Sequence, residues 1–204
     1  MLAFTKKELA MMKRLNTPAK VQDFLNKIPI NFEKDGVDKC KSPVMVLRAK
    51  SAHCIEAAIL GAYILSLHGH QPLLMHLATT DEDKDHVIAP FKMKGLWGAL
   101  SKGNHAILRY RDPIYKNIRE LAMSYFNEYF LESGNKTMRS YSKTLNLNSF
   151  GKDWIGHEGD LWDIDDKLDE IKHFAIAPKD VIRKLRKVDP VEIKILALHE
   201  QPKK

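Results

Sequence analysis

Cys54 and His86 are the two side chains in this sequence whose positions most favour chemistry. Cys54 opens a long apolar segment that reads as a helix. A thiol in the first turn of a helix lies at the positive end of the helix dipole, which favours the thiolate. His86 opens a later segment with strand character, so its imidazole is placed to take the thiol proton and return it. The pair predicts a thiol nucleophile served by a histidine general base and acid.

The segments that would position this pair predict an α+β core. The Cys54 helix is apolar on nearly every side, which is typical of a buried helix, and Gly69 is its expected stop. Residues 73–78 form a short continuous apolar run, as in a central strand. Residues 86–91 and 96–100 then predict a hairpin, and residues 106–110 a third antiparallel strand. We therefore predict a core in which a buried helix packs on a small antiparallel sheet.

The alternation of the His86 strand makes a geometric prediction. In a regular strand, every second side chain points to the same face. His86, Ile88 and Pro90 therefore share one face, and that face is expected to meet the Cys54 helix.

Helices are predicted on both sides of this core. A capping box from Thr5 to Glu8 begins a helix over 6–15, and Thr17-Pro18 begins a second, which Pro29 ends. Asp112-Pro113 is read as the start of an amphipathic helix that continues to about residue 130. Further helices are predicted over 160–171 and 179–188.

Composition narrows the class of protein. The chain has 204 residues, a formal charge of +7 and a pI near 9.3. Its basic residues are spread among acidic ones, so we read them as solvated surface and do not expect a nucleic-acid site. No apolar run reaches the roughly 18 residues of a membrane span, because Ser66, His68 and His70 interrupt the longest one. Two cysteines, Cys40 and Cys54, suit reduced thiols in the cytoplasm.

The other histidines do not predict a metal centre. His68, His70 and His76 lie between Cys54 and His86, but no pair has the spacing of a zinc module. We therefore expect no metal and no cofactor.

The stretch SPVMVLRAKSAHCIEAAILGAYILSLHGHQPLLMHL, followed by DHVIAPFKMKGLWGAL, resembles the core of the transglutaminase-like superfamily, relatives of papain-type thiol enzymes. The shared pattern is a Cys at a helix start, a glycine after the helix, a strand, and a His on the next strand. The resemblance covers about residues 42–111. It implies one papain-like domain over 1–204, a cytoplasmic thiol hydrolase or acyltransferase, and a peptide or protein acyl substrate.

The third catalytic residue departs from the family pattern. The family's Asp would fall on or near Ser101. Asn104 offers an amide that could hold the imidazole, as in Cys-His-Asn sites, although after Gly103 it also suits a turn. Asp112 opens an Asp-Pro dipeptide like the family's, although it also suits a helix N-cap. Asn104 is narrowly preferred, and both residues remain candidates beside Cys54 and His86.

The oxyanion donors are less clearly marked. The backbone N–H of Cys54 is a natural one, and a side-chain donor from Gln22 or Asn26 on the second helix is a further possibility.

Two other interpretations stay open. Cys54 could be a small buried residue and His86 a strand histidine satisfied by Asp83 or Asp85. The chain would then be a catalytically inactive transglutaminase-like protein that binds a peptide or protein.

Overall fold

The computed structural model describes residues 2–33 and 36–200, and it shows a mixed α+β protein with a small antiparallel sheet. The helices are α1 (Lys6–Arg14), α2 (Pro18–Lys27), α3 (Pro43–Ala49), α4 (Cys54–Ser66), α5 (Ile118–Met123), α6 (Trp162–Glu170), α7 (Lys179–Ile182) and α8 (Pro190–Ile193). Short 3-10 helices cover Phe126–Glu128, Leu147–Phe150, Asp153–Ile155 and Lys194–Ala197.

The strands are β1 (Leu73–Ala78), β2 (His86–Met93), β3 (Leu96–Leu100), β4 (Arg111–Tyr115), β5 (Ser140–Ser142), β6 (Leu145–Asn146) and β7 (His173–Ala175). Their order across the sheet is β4-β3-β2-β1-β5-β7, and β6 also pairs with β1. The predicted hairpin is confirmed: β2 and β3 pair antiparallel around Lys94 and Gly95. Both turn residues have positive φ, 47° and 86°, as a tight hairpin turn requires.

The first helices follow their sequence signals. Thr5 and Glu8 form the predicted capping box of α1. Thr17 is the N-cap of α2, and Pro18 is the first residue of that helix. The prediction that the Cys54 helix is buried is also confirmed, because every residue of α4 from Ile55 to Leu65 is buried. Apolar burial on all sides of α4 anchors Cys54 at its first position.

The two faces of the sheet pack into different hydrophobic clusters. Val87, Ala89 and Phe91 of β2 belong to the cluster that contains α4, whereas Ile88 belongs to the cluster on the other face. The prediction that the His86–Ile88 face meets the Cys54 helix is therefore wrong. Cys54 and His86 are the first residues of α4 and β2, and they approach each other at the ends of these elements rather than across the packed layer.

The segment after the hairpin differs most from prediction. Asp112 lies in β4 and caps no helix; α5 begins later, with Asn117 as its N-cap. A residue before proline is biased toward extended backbone, and the missing N–H of Pro113 is tolerated because β4 is an edge strand. The strand predicted over 106–110 is consequently displaced to Arg111–Tyr115.

The C-terminal part forms less helix than its basic pattern predicted. The helix expected over 179–188 is confined to α7, and strand β7 was not foreseen. Further on, the chain returns toward the site, where the backbone of Leu198 accepts a hydrogen bond from the Ala106 N–H. None of the helices in the described residues is both long enough and apolar enough to cross a membrane.

Candidate active site

A groove of about 900 Å³ lies at the N-terminal end of α4. Cys54 and His86 both line it, and the thiol-bearing residue is partly exposed. The other walls come from the loop before α3, the β1–β2 turn, the loop after β3, the segment around Tyr129, α6 and the C-terminal segment. The structure thus brings the predicted nucleophile and the predicted base to one solvent-accessible site.

The surroundings of Cys54 favour its thiolate form. Burial works against the charged form, but hydrogen bonding to His53 and to His86, together with their charge, lowers the pKa of the thiol well below its usual range. The helix dipole acts in the same direction. Cys40 provides the contrast, because burial and nearby carboxylates raise the pKa of its thiol. Of the two cysteines, Cys54 is the one whose pKa is shifted toward the thiolate.

His53 is a member of the site that the sequence reasoning missed. Its Nε2 lies 2.5 Å from the Lys39 carbonyl oxygen and 3.4 Å from Glu33 Oε1. Burial disfavours its protonated form, yet contact with Cys54 and the charge of Glu56 raise the pKa of His53 to about 9. A histidine directly before the cysteine, with a glutamate in the first helical turn, was the signal available in the sequence.

Glu56 fixes the backbone of this helix start. It is fully buried, and its Oε2 accepts a hydrogen bond from the His53 N–H at 3.0 Å. Its Oε1 lies 2.7 Å from Lys41 Nζ, which compensates the buried charge. The first turn of α4, and with it the position of Cys54, is held by an internal ion pair.

Ser101 occupies the position of third partner to the imidazole. His86 Nε2 lies 2.8 Å from Ser101 Oγ, and the hydroxyl itself donates to the Leu108 carbonyl oxygen. Because the single hydroxyl proton is used there, Ser101 accepts and His86 Nε2 donates. This leaves Nδ1 of His86 as the ring nitrogen free to exchange a proton with Cys54.

The side chain of Gln22 hydrogen-bonds the backbone of Ser101. Its Oε1 accepts from the Ser101 N–H at 3.0 Å, and its Nε2 donates to the Ser101 carbonyl at 2.8 Å. The same Nε2 also donates to Asn26 Oδ1 at 2.8 Å. Both amide protons of Gln22 are therefore engaged, and neither Gln22 nor Asn26 is among the residues that line the groove around Cys54.

Asn104 and Asp112, the two candidates for the third residue, take different places. Asn104 lines the groove, but the recorded partner of His86 Nε2 is Ser101, and the Asn104 carbonyl accepts from the Glu200 N–H at 2.7 Å. Asp112 is exposed on β4 and is not among the residues that line the groove. The structure does not join either side chain to the imidazole.

The carboxylates that might have satisfied His86 have other partners. Asp85 Oδ2 lies 2.9 Å from His76 Nε2, and Asp83 Oδ2 accepts from the Thr137 hydroxyl at 2.5 Å. Nδ1 of His76 is also 3.2 Å from Nε2 of His173. The hydrogen-bond partners of the His86 ring are therefore Ser101 and Cys54.

The sequence matches no family model, and no curated protein matches it either. The geometry of the groove is consequently what supports a function: a thiol with a lowered pKa, two imidazoles beside it, and a hydrogen-bonded serine behind the second imidazole.

Proposed function

We propose that this protein is a cysteine-dependent acyl-transfer enzyme of transglutaminase-like type with a papain-like core, in which Cys54 is the nucleophile and His86 the general base and acid. One observation carries the proposal: Cys54 lies on the groove at a helix N-terminus and is hydrogen-bonded to two histidines, which lower the pKa of its thiol. A small buried structural cysteine has no need of such surroundings.

The first half of the reaction forms a thioester. The Cys54 thiolate attacks the acyl carbon, and the carbonyl π electrons move to oxygen. When the tetrahedral intermediate collapses, the bond to the leaving amine breaks and the amine takes a proton from the His86 imidazolium. His53, with its raised pKa, supplies positive charge beside the sulfur without surrendering its own proton.

The second half returns the enzyme to its starting state. His86 accepts a proton from water, whose oxygen attacks the thioester carbon, and the Cys54 thiolate leaves. Because the groove is open to solvent, we propose hydrolysis of an amide as the ordinary outcome, with a peptide or protein as acyl donor. Transfer to an amine would require that water be kept out.

The test uses iodoacetamide and p-nitrophenyl acetate on the intact protein. Cys54 should be alkylated at about pH 6, well below the ordinary thiol pKa of roughly 8.5. It should also be acetylated by the ester, which peptide mass spectrometry would locate. The His86→Ala variant should lose acetylation, and Cys40 is an internal control because it is fully buried. A Cys54 that reacts only after unfolding would refute the proposal.

A specific observation favours a second candidate, a catalytically inactive member that binds a peptide or protein. The partner of His86 is a neutral hydroxyl, which stabilises an imidazolium less than a carboxylate does. If Cys54 is alkylated readily but His86→Ala does not change its reactivity, the histidine is not a working base and the binding role is preferred.

A further inference from the structure

Tyr129 presents an unexplained polar group at the proposed active site. Tyr129 is 2% exposed, and it lines the groove that contains Cys54. Among the described residues, its hydroxyl has no hydrogen-bond partner. Buried hydroxyl groups are normally hydrogen-bonded, and an unsatisfied one destabilises the fold. An unsatisfied buried hydroxyl on a residue that lines a groove suggests that its partner is a ligand.

The Tyr129 hydroxyl is close enough to Cys54 to interact with its charge. Burial is the largest cause that raises the pKa of Tyr129, and the charge of Cys54 is the next, followed by Asp83 and Asp85. With its pKa raised, the phenol keeps its proton throughout the neutral range. It is therefore a permanent donor on a residue that lines the groove of Cys54, where negative charge would develop.

We propose that the Tyr129 hydroxyl donates a hydrogen bond to the carbonyl oxygen of the acyl substrate and to the oxyanion that forms from it. This inference rests on the proposed acyl-transfer function. The second donor is the Cys54 N–H, which as the first N–H of α4 has no partner within the helix. No proton is transferred from Tyr129; it stabilises charge on oxygen while His86 moves the proton.

The geometry also explains why this donor comes from Tyr129 and not from α2. Gln22, the side-chain donor considered from the sequence, uses both amide protons on Ser101 and Asn26. Tyr129 lies far from Cys54 in sequence, in the segment after α5, and no local pattern connects the two residues.

The test compares two reactions of Cys54 in the Tyr129→Phe variant. Alkylation by iodoacetamide is a displacement at a saturated carbon and forms no oxyanion, whereas acetylation by p-nitrophenyl acetate passes through one. We expect alkylation at wild-type rate and acetylation slower by on the order of 100-fold. Tyr141→Phe is the matched control, since Tyr141 is also buried but does not line the groove; both of its rates should be those of wild type.

The outcomes separate this proposal from the proposed function. If wild-type Cys54 reacts with both reagents and Tyr129→Phe acetylates as fast as wild type, Tyr129 is not an oxyanion donor and the thiol enzyme stands. Equal slowing of alkylation and acetylation would also overturn it, because Tyr129 would then act on the thiolate. A wild-type thiolate that alkylates without acetylating would overturn it too, and a wild-type Cys54 inert to both reagents would overturn both proposals.

Discussion

Nε2 of His86 lies 2.8 Å from Oγ of Ser101, and the hydroxyl donates its own hydrogen bond to the Leu108 carbonyl. This relay fixes the tautomer of the imidazole, because a hydroxyl that donates elsewhere can only accept from Nε2. The nitrogen that remains for Cys54 is Nδ1. A serine thus does for ring orientation what an aspartate or asparagine does in other thiol enzymes, without adding a negative charge.

Replacing Ser101 should impair both stability and catalysis. In Ser101→Ala the His86 N–H and the Leu108 carbonyl lose a buried partner, so we expect a loss of about 1–3 kcal/mol in the free energy of unfolding, measured by urea titration. Acetylation of Cys54 should slow because the imidazole is no longer oriented.

Ser101→Thr is the control for that experiment. It keeps the hydroxyl and should recover most of the acetylation rate. A Ser101→Ala protein as active as wild type would show that the hydroxyl does not orient His86.

Gln22 should behave as a support for Ser101 and not as an oxyanion donor. Gln22→Glu replaces a donor by an acceptor opposite the Ser101 carbonyl and Asn26 Oδ1. We expect a loss of about 1–3 kcal/mol in the free energy of unfolding, because the buried Ser101 carbonyl then loses its donor and faces another acceptor. Urea titration measures it.

If Gln22 were instead an oxyanion donor, its substitution would have different effects. An oxyanion donor would leave stability nearly unchanged on substitution and would slow acetylation without slowing alkylation. That pattern in Gln22→Ala would indicate that Gln22 is an oxyanion donor, and it would contradict a role for Gln22 in holding Ser101 in place.

Removal of His53 should raise the pKa of Cys54. His53→Gln replaces a charged hydrogen-bond donor by a neutral amide, so the positive charge that lowers the thiol pKa is lost. We expect the pH midpoint of iodoacetamide alkylation to move upward, as followed by mass spectrometry across a pH series.

His68→Gln is the matched histidine control, because His68 contacts the Met12 carbonyl and does not line the groove. Its alkylation midpoint should match that of wild type. An unshifted midpoint in His53→Gln would mean that His86 alone determines the thiol pKa.

His76 should make stability depend on pH. Burial opposes its protonation, but the hydrogen bond and charge of Asp85 prevail and raise the pKa of His76. A raised folded pKa stabilises the protein fully below the unfolded value of about 6.5, and this contribution is lost as pH rises through the folded value. The pKa of Asp85 is correspondingly lowered, so its contribution is lost at acid pH.

The measurement compares wild type with His76→Asn by urea unfolding from about pH 5 to 9. The stability difference should be largest near pH 5–6 and should shrink toward pH 9. The exposed His157 supplies the control, His157→Asn, which should show no such trend. A difference that grows with pH would contradict the His76–Asp85 pair.

Local signals in the sequence were sufficient for the elements that carry Cys54 and His86. The capping residues of α1 and α2, the all-round apolar α4, the apolar run of β1 and the Lys94-Gly95 turn each act within a few residues. The structure forms these elements at the expected places. The error at Asp112 arose because a proline start signal suits both a helix and an edge strand, and only the neighbouring β3 decides between them.

The sequence by itself therefore determined which thiol stands at a helix start and which histidine opens a strand. Only the tertiary structure decided which groups surround them: His53 at the sulfur, Ser101 at the imidazole, Gln22 at the Ser101 backbone, and the hydroxyl of Tyr129, for which the described part of the chain provides no hydrogen-bond partner. Periodicity and capping are properties of short segments. Hydrogen bonds such as that between Gln22 and Ser101 join residues far apart in the chain, so they exist only after α2 has packed against β3.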